Sequence, residues 1–334
     1  MRIRAWSKIS MADNTNWSFP TPLQPDAAEV DFDLATALTA VVRLSSRIPD
    51  DAFTAGVLGT EREGNGVVIR ADGLIVTIGY LITEAEAIWI TAHDGRVVPG
   101  HPLAFDFATG LGLVLPLGPL GLPAMPMGTS TDVDVDDDVF VIGNGGRTHA
   151  LKAQVFARRE FAGYWEYLLD VALFTQPPHP EWSGAALLDG GGRLIGIGSL
   201  FIQEADDDEV RKGNMFVPID VLTPILDDLV ATGRSKRPAR PWLGMYASED
   251  NHRLVVGGLA QGGPAERAGI RQGDAIIAVG GQGVGSLAEL FRTMWDLGPS
   301  GTEILLTLAR DGATVPVKVR SGDRRDYLKK PSLQ

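Results

Sequence analysis

The chain has 334 residues, 44% of them hydrophobic, with 40 glycines, 21 prolines and a formal net charge of −12. That length accommodates two or three domains with cores of their own, and the acidic balance excludes nucleic-acid binding, because a phosphate backbone demands clustered Lys and Arg. The absence of cysteine excludes disulfides, thiol catalysis and zinc–thiolate sites, and no apolar run approaches the roughly 18 residues of a membrane-spanning helix.

Residues 1–30 lack periodicity and are rich in Pro, Asn and Asp, which predicts a loose arm or disordered tail with Trp17 and Phe19 as candidate anchors. Its basic opening has no apolar h-region before polar residues and prolines begin, so no secretory signal is expected. The expected location is the cytoplasm, with the periplasm as the alternative. "DLATALTAVVRLSS" reads as a short helix followed by a strand. From about 64 to 200, short β-rich runs alternate with A-D-G, H-D-G and D-G-G-G turns, the pattern of two small barrels. "PIDVLTPILDDLVATG" has apolar residues at helical spacing between Asp220 and Gly233, and "RSKRPARP" then forms a basic, proline-containing linker at 234–241.

The next block, 242–322, orders strands, a short "PAERAGI" helix, a "DAIIAVGGQGV" hairpin, the "SLAELFRTMWDL" helix and a "DG" hairpin. Residues 323–334 are polar and expected to fray. The fold class is therefore mainly β, with a double β-barrel domain over 31–233 and an α+β domain over 242–322.

"GGPAERAGIRQGDAIIAVGGQGV" is similar to the bacterial PDZ signature, and "GNGVVIRADGLIVTIGYLI", "DVFVIGNGG" and "GNMFVPIDVLTPILDDLVATG" resemble segments of a chymotrypsin-like protease. From roughly 35 to 322 the chain resembles the HtrA family, which has a trypsin-like double barrel followed by a PDZ domain. The resemblance implies a serine endopeptidase ancestry, a trimer and recognition of protein C-termini or extended peptides. No cofactor, metal, nucleic acid or membrane is expected.

A serine hydroxyl needs an imidazole to accept its proton and a carboxylate to orient that imidazole. In "PEWSGAA" Ser183 occupies the family's nucleophile position, with Glu181 where the family has the oxyanion-hole glycine. "IVTIGY" puts Tyr80 at the histidine position, and "TGLGLVL" puts Gly110 at the aspartate position. An unperturbed phenol is ionised in roughly one molecule per thousand at pH 7, a feeble base. His179, His101 and Asp106 are the candidates for a substitute triad, but the two histidines read better as exposed loop residues. The acidic runs at 132–138 and 204–209 lack the Gly and Glu of a calcium loop and read as solvated loops.

In the PDZ block, Trp242, Leu243, Gly244 and Met245 match the family's carboxylate loop, where glycine permits close backbone approach to a ligand. Leu287, Leu290, Phe291, Met294 and Leu297 recur at helical spacing; core and pocket roles both remain open for each, and together they predict a hydrophobic preference for the last peptide residue. Asp274 and Arg267 read as turn and surface residues. The expected function is a catalytically inactive HtrA-like scaffold, adaptor or chaperone-like component. An active or conditionally active endopeptidase and a structural subunit of a larger enzyme assembly are the alternatives.

Overall fold

A computed structural model describes residues 17–205, 210–250 and 253–329. Contacts divide the chain into two units, one comprising 1–159, 171–235 and 329–334, the other 160–170 and 236–328.

In the first unit, Asp33 starts α1 (Leu34–Thr39) by accepting the Thr36 N–H at 3.0 Å, which satisfies a donor the helix cannot. The strands β1 (Val41–Arg47), β2 (Glu61–Val68), β3 (Ile75–Ile78), β4 (Ala87–Thr91), β5 (Val97–Phe105) and β6 (Leu111–Pro116) follow, with α2 (Ala55–Leu58) between the first two. They close in the order β1-β2-β3-β6-β5-β4. A second barrel of β7 (Asp138–Ile142), β8 (Ala150–Gly163), β9 (Tyr167–Gln176), β10 (Ala186–Leu188), β11 (Leu194–Ala205) and β12 (Val210–Pro218) closes in the order β10-β11-β12-β9-β8-β7. Closure pairs every strand edge and leaves inward positions such as Val139, Val141, Leu173, Leu187 and Phe216 fully buried, the double barrel expected from the turn spacing.

Three expectations for this unit need correction. The helix foreseen from Asp220 begins only at Leu226, as α3 (Leu226–Thr232), preceded by two 3-10 turns. Pro224 has no N–H for a continuous helical ladder, and the Asp220 carboxylate accepts the Ser130 N–H at 2.9 Å instead of capping. The described part of the arm is fastened: the Phe19 N–H donates to the Thr148 carbonyl at 3.0 Å, and its ring packs on the second barrel's core. Residues 160–170, read as part of the barrel domain, belong to the second unit. Residues 1–16 of the arm and 206–209 of the second acidic run lie outside the described residues.

The second unit has β13 (Met245–Asp250), β14 (Arg253–Leu259), β15 (Ala275–Val279), β16 (Gln282–Gly283), β17 (Glu303–Arg310) and β18 (Ala313–Arg320), with α4 (Pro264–Arg267) and α5 (Leu287–Asp296). The sheet order is β13-β14-β15-β17-β18, with β16 paired to β15. Ser286 caps α5 by accepting the Glu289 N–H at 3.1 Å, while Glu289 reaches back to the Gly285 N–H at 2.8 Å. The linker's Arg240 stacks over the Trp295 ring at 4.0 Å. Beyond β18, residues Arg324–Tyr327 form a 3-10 turn rather than fraying, with Tyr327 packed on Trp242 at 4.6 Å between ring centroids.

Candidate functional site

Ser183 lies in the loop between β9 and β10, and Tyr80 lies on the 3-10 turn Gly79–Leu81 that follows β3. The two side chains meet: Ser183 Oγ hydrogen-bonds Tyr80 Oη, and the phenol donates to the Ser199 carbonyl at 2.8 Å. A phenol has one proton, so with that proton on Ser199 the serine hydroxyl is the donor to Tyr80. Burial raises the Tyr80 pKa still further above its usual 10, against the lowering effect of its hydrogen bonds with Ser183 and Trp182. At neutral pH Tyr80 is therefore a neutral phenol hydrogen-bonded to Ser183.

Gly110 follows an Asp106 turn in which the Asp106 carboxylate accepts the Thr109 N–H at 2.9 Å, and its backbone carbonyl accepts the Gly110 N–H at 2.8 Å. Asp106 is thus committed to that turn. Gly110 has φ +76°, in the left-handed region that glycine adopts without a side-chain penalty. The Glu181 N–H is donated to His179 Nδ1 at 3.0 Å. The Glu181 carboxylate turns away to the Trp17 indole N–H at 3.3 Å.

The histidine expectations are corrected. His179 is fully buried: Nδ1 accepts from Glu181, Nε2 donates to the His149 carbonyl at 2.9 Å, and Trp17 and Phe19 meet its ring edge-on. With both nitrogens satisfied, burial of the neutral ring is tolerated, and desolvation pushes its pKa down to about 4. His101 lies on β5 opposite Leu115, half-buried in a strand rather than exposed in a loop. Neither reaches Ser183 by a hydrogen bond among the described contacts.

In the second unit, Trp242, Leu243 and Met245 are buried, and Leu243, Met245, Leu287, Leu290, Phe291 and Met294 share one hydrophobic core, whereas Leu297 is exposed. The Leu243 N–H lies 3.2 and 3.1 Å from the two carboxylate oxygens of Glu166, and the Met245 N–H donates to the first at 2.9 Å. Asp274 is buried and clasped by Arg310 at 2.6 and 2.7 Å while accepting the Arg271 N–H at 2.8 Å, so it ties β15 to β17 rather than serving only a turn.

Residues 64–197 match the family described as a trypsin-like peptidase domain, and residues 241–320 match the PDZ domain family. The chain is HtrA-like. It is 27% identical over 286 residues to the "Probable periplasmic serine endoprotease DegP-like" of Chlamydia pneumoniae, covering 79% of this chain and 56% of that protein. It is 27% identical over 309 residues to the "Serine endoprotease DegS" of Salmonella typhimurium, covering 87% and 85%. The HtrA-like chain thus spans about half the length of its DegP-like relatives. Its fold is similar to that of the HtrA-type protease AlgW with a decapeptide, with a TM-score of 0.53 and 21% identity over 90% of this chain and 100% of that one.

Two residues of the HtrA-like chain escaped sequence reasoning. Asn65 on β2 stitches the serine loop in place: its N–H donates to the Ser183 carbonyl at 2.7 Å and its side-chain amide to the Glu181 carbonyl at 2.8 Å, while its Oδ1 accepts the Asn144 N–H at 2.8 Å. Its position in "GNGVV" carried no chemical signal. Glu166 lies in a turn, and only its place in three dimensions brings it to Leu243 and Met245.

Proposed function

We propose that this HtrA-like protein binds protein C-termini or extended peptides through its PDZ domain, as a scaffold, adaptor or chaperone-like component, and that its serine site is catalytically silent. The observation that carries the second half is the pairing of Ser183 with a half-buried phenol in place of an imidazole. Loss of the base alone costs a serine protease roughly a million-fold in turnover, and the oxyanion hole that sets the residual rate has its Glu181 donor spent on His179. The PDZ match and the N–H groups of Leu243 and Met245, which donate to a carboxylate, support the binding half.

A second reading, an active or conditionally active serine endopeptidase, is favoured by its relatives, which are named serine endoproteases. Incubation with unfolded casein and a fluorophosphonate probe, beside a Ser183→Ala control, separates the two. The proposal expects neither labelling nor cleavage above the control; serine-dependent labelling establishes the endopeptidase reading. The DegP-like relatives are named periplasmic, which favours the periplasm over the cytoplasm. Among the described residues no helix is long and apolar enough to cross a membrane. A trimer is part of the proposal through the resemblance, and light scattering reads it.

A further inference from the structure

The occupant of the carboxylate loop is part of this chain. The tip between β8 and β9 carries Glu166 at φ +58°. Glycine or asparagine adopts such a conformation at less cost, so a glutamate there is held by its surroundings. Those surroundings reproduce, contact by contact, the demands of a bound peptide C-terminus. The carboxylate is held by the Leu243 and Met245 N–H groups of the loop. One residue of backbone accepts from the sheet edge as an added strand would: the Ala247 N–H on β13 donates to the Tyr164 carbonyl at 3.2 Å. An aliphatic anchor is supplied by Leu168, which is buried in the same core as Leu290, Phe291 and Met294.

Charges clamp the segment from both flanks. Arg292 on α5 pairs with Glu160 and, at 2.5 Å, with Asp170, one residue from each arm of the hairpin. The Arg324 guanidinium donates to the Trp165 carbonyl at 3.3 Å.

We propose that the hairpin 160–170 is the resident ligand of the PDZ groove, with the Glu166 carboxylate standing in for a peptide's terminal carboxylate, and that an external C-terminus enters only by displacing it. This rests on the reading of the PDZ domain as a receptor for C-termini. It also specifies the competitor's chemistry: a free carboxylate for the loop, a strand to pair with β13 and an aliphatic side chain to replace Leu168. The carboxyl's own titration agrees with enclosure in the loop, for burial pushes its pKa up to about 7 against the lowering pull of the backbone N–H groups and Arg324.

The test uses the full chain beside Glu166→Gln, which keeps the side chain's shape, and Glu166→Ala. Fluorescein-labelled decapeptides ending in Val, Leu, Ile or Phe, each with a free carboxylate, are titrated by anisotropy with amidated twins as controls. Amide hydrogen exchange over residues 243–247 is followed in parallel without peptide. The expected result is faster exchange in Glu166→Ala, free-carboxylate peptides bound at least about tenfold more tightly by Glu166→Ala than by the parent, parent-like behaviour of Glu166→Gln, whose uncharged Oε1 still accepts from the loop, and no binding of the amidated twins. Unchanged exchange in Glu166→Ala, or equal affinity of the parent and Glu166→Ala, overturns the self-ligand while leaving the PDZ domain a receptor. Faster exchange with no peptide bound by any form overturns displacement and the receptor reading together, leaving the hairpin a fixed part of the fold.

Discussion

Both ring nitrogens of His179 are engaged, Nδ1 by the Glu181 N–H and Nε2 with the His149 carbonyl, in a neutral imidazole whose pKa lies near 4. A depressed pKa stabilises the folded state above the unfolded value of about 6.5, and that contribution is lost as pH falls through 4. We expect thermal unfolding of the barrel domain to lose on the order of 3 kcal/mol of this source between pH 7 and pH 4. His179→Gln should flatten that part of the pH profile in calorimetry; an unchanged profile removes the histidine from the explanation. Glu166 has the opposite sign. Its raised pKa makes docking most favourable below about 4.5, with the contribution fading as pH rises through 7. The groups facing the carboxyl are the Arg324 guanidinium, lowered by burial, and the Tyr246 phenol, raised by it. Affinity for an external carboxylate peptide should therefore increase from pH 5 to pH 8 in the parent, measured relative to Glu166→Gln, which has no such proton to lose.

At the scale of elements, the Asp274–Arg310 pair shows a side chain with a larger duty than its sequence position indicates. Asp274 is only 2% exposed and Arg310 18%, and the pair binds neighbouring strands. Asp274→Ala removes the carboxylate that Arg310 and the Arg271 N–H share, so we expect destabilisation confined to the PDZ domain, read as a lower midpoint in denaturant titration. A loss under 1 kcal/mol would place the pair with ordinary surface bridges. The same contrast marks what was legible beforehand. The strands around "ADG" and "HDG", and α5 with its Ser286 cap and apolar stripe, are written in local chemistry and sit as read. The helix expected from Asp220 is not, because Pro224 and a tertiary bond to Ser130 override the apolar spacing. Likewise Ser183, Tyr80 and Gly110 could be located by resemblance, whereas the commitment of the Glu181 N–H to His179 depends on a loop path that no local pattern encodes.

For the molecule as a whole, two units with separate buried cores predict two calorimetric transitions, and Asp274→Ala should shift only one of them. A single transition that moves as one would show instead that the units unfold together. The crossing of the chain between units at residues 160–170 also explains why a boundary drawn in sequence order misplaced this segment: the barrel strands β8 and β9 carry a tip that belongs elsewhere in space.

That tip is tethered at both ends, so its local abundance at the groove does not fall when the protein is diluted. A ligand joined by a short flexible link experiences an effective concentration of about millimolar. Against such a competitor a single free chain end of micromolar affinity gains little occupancy, whereas a cluster of chain ends that engages several grooves of the proposed trimer at once can win by avidity. The hairpin would then set a threshold on how many ends must be presented together before the groove responds.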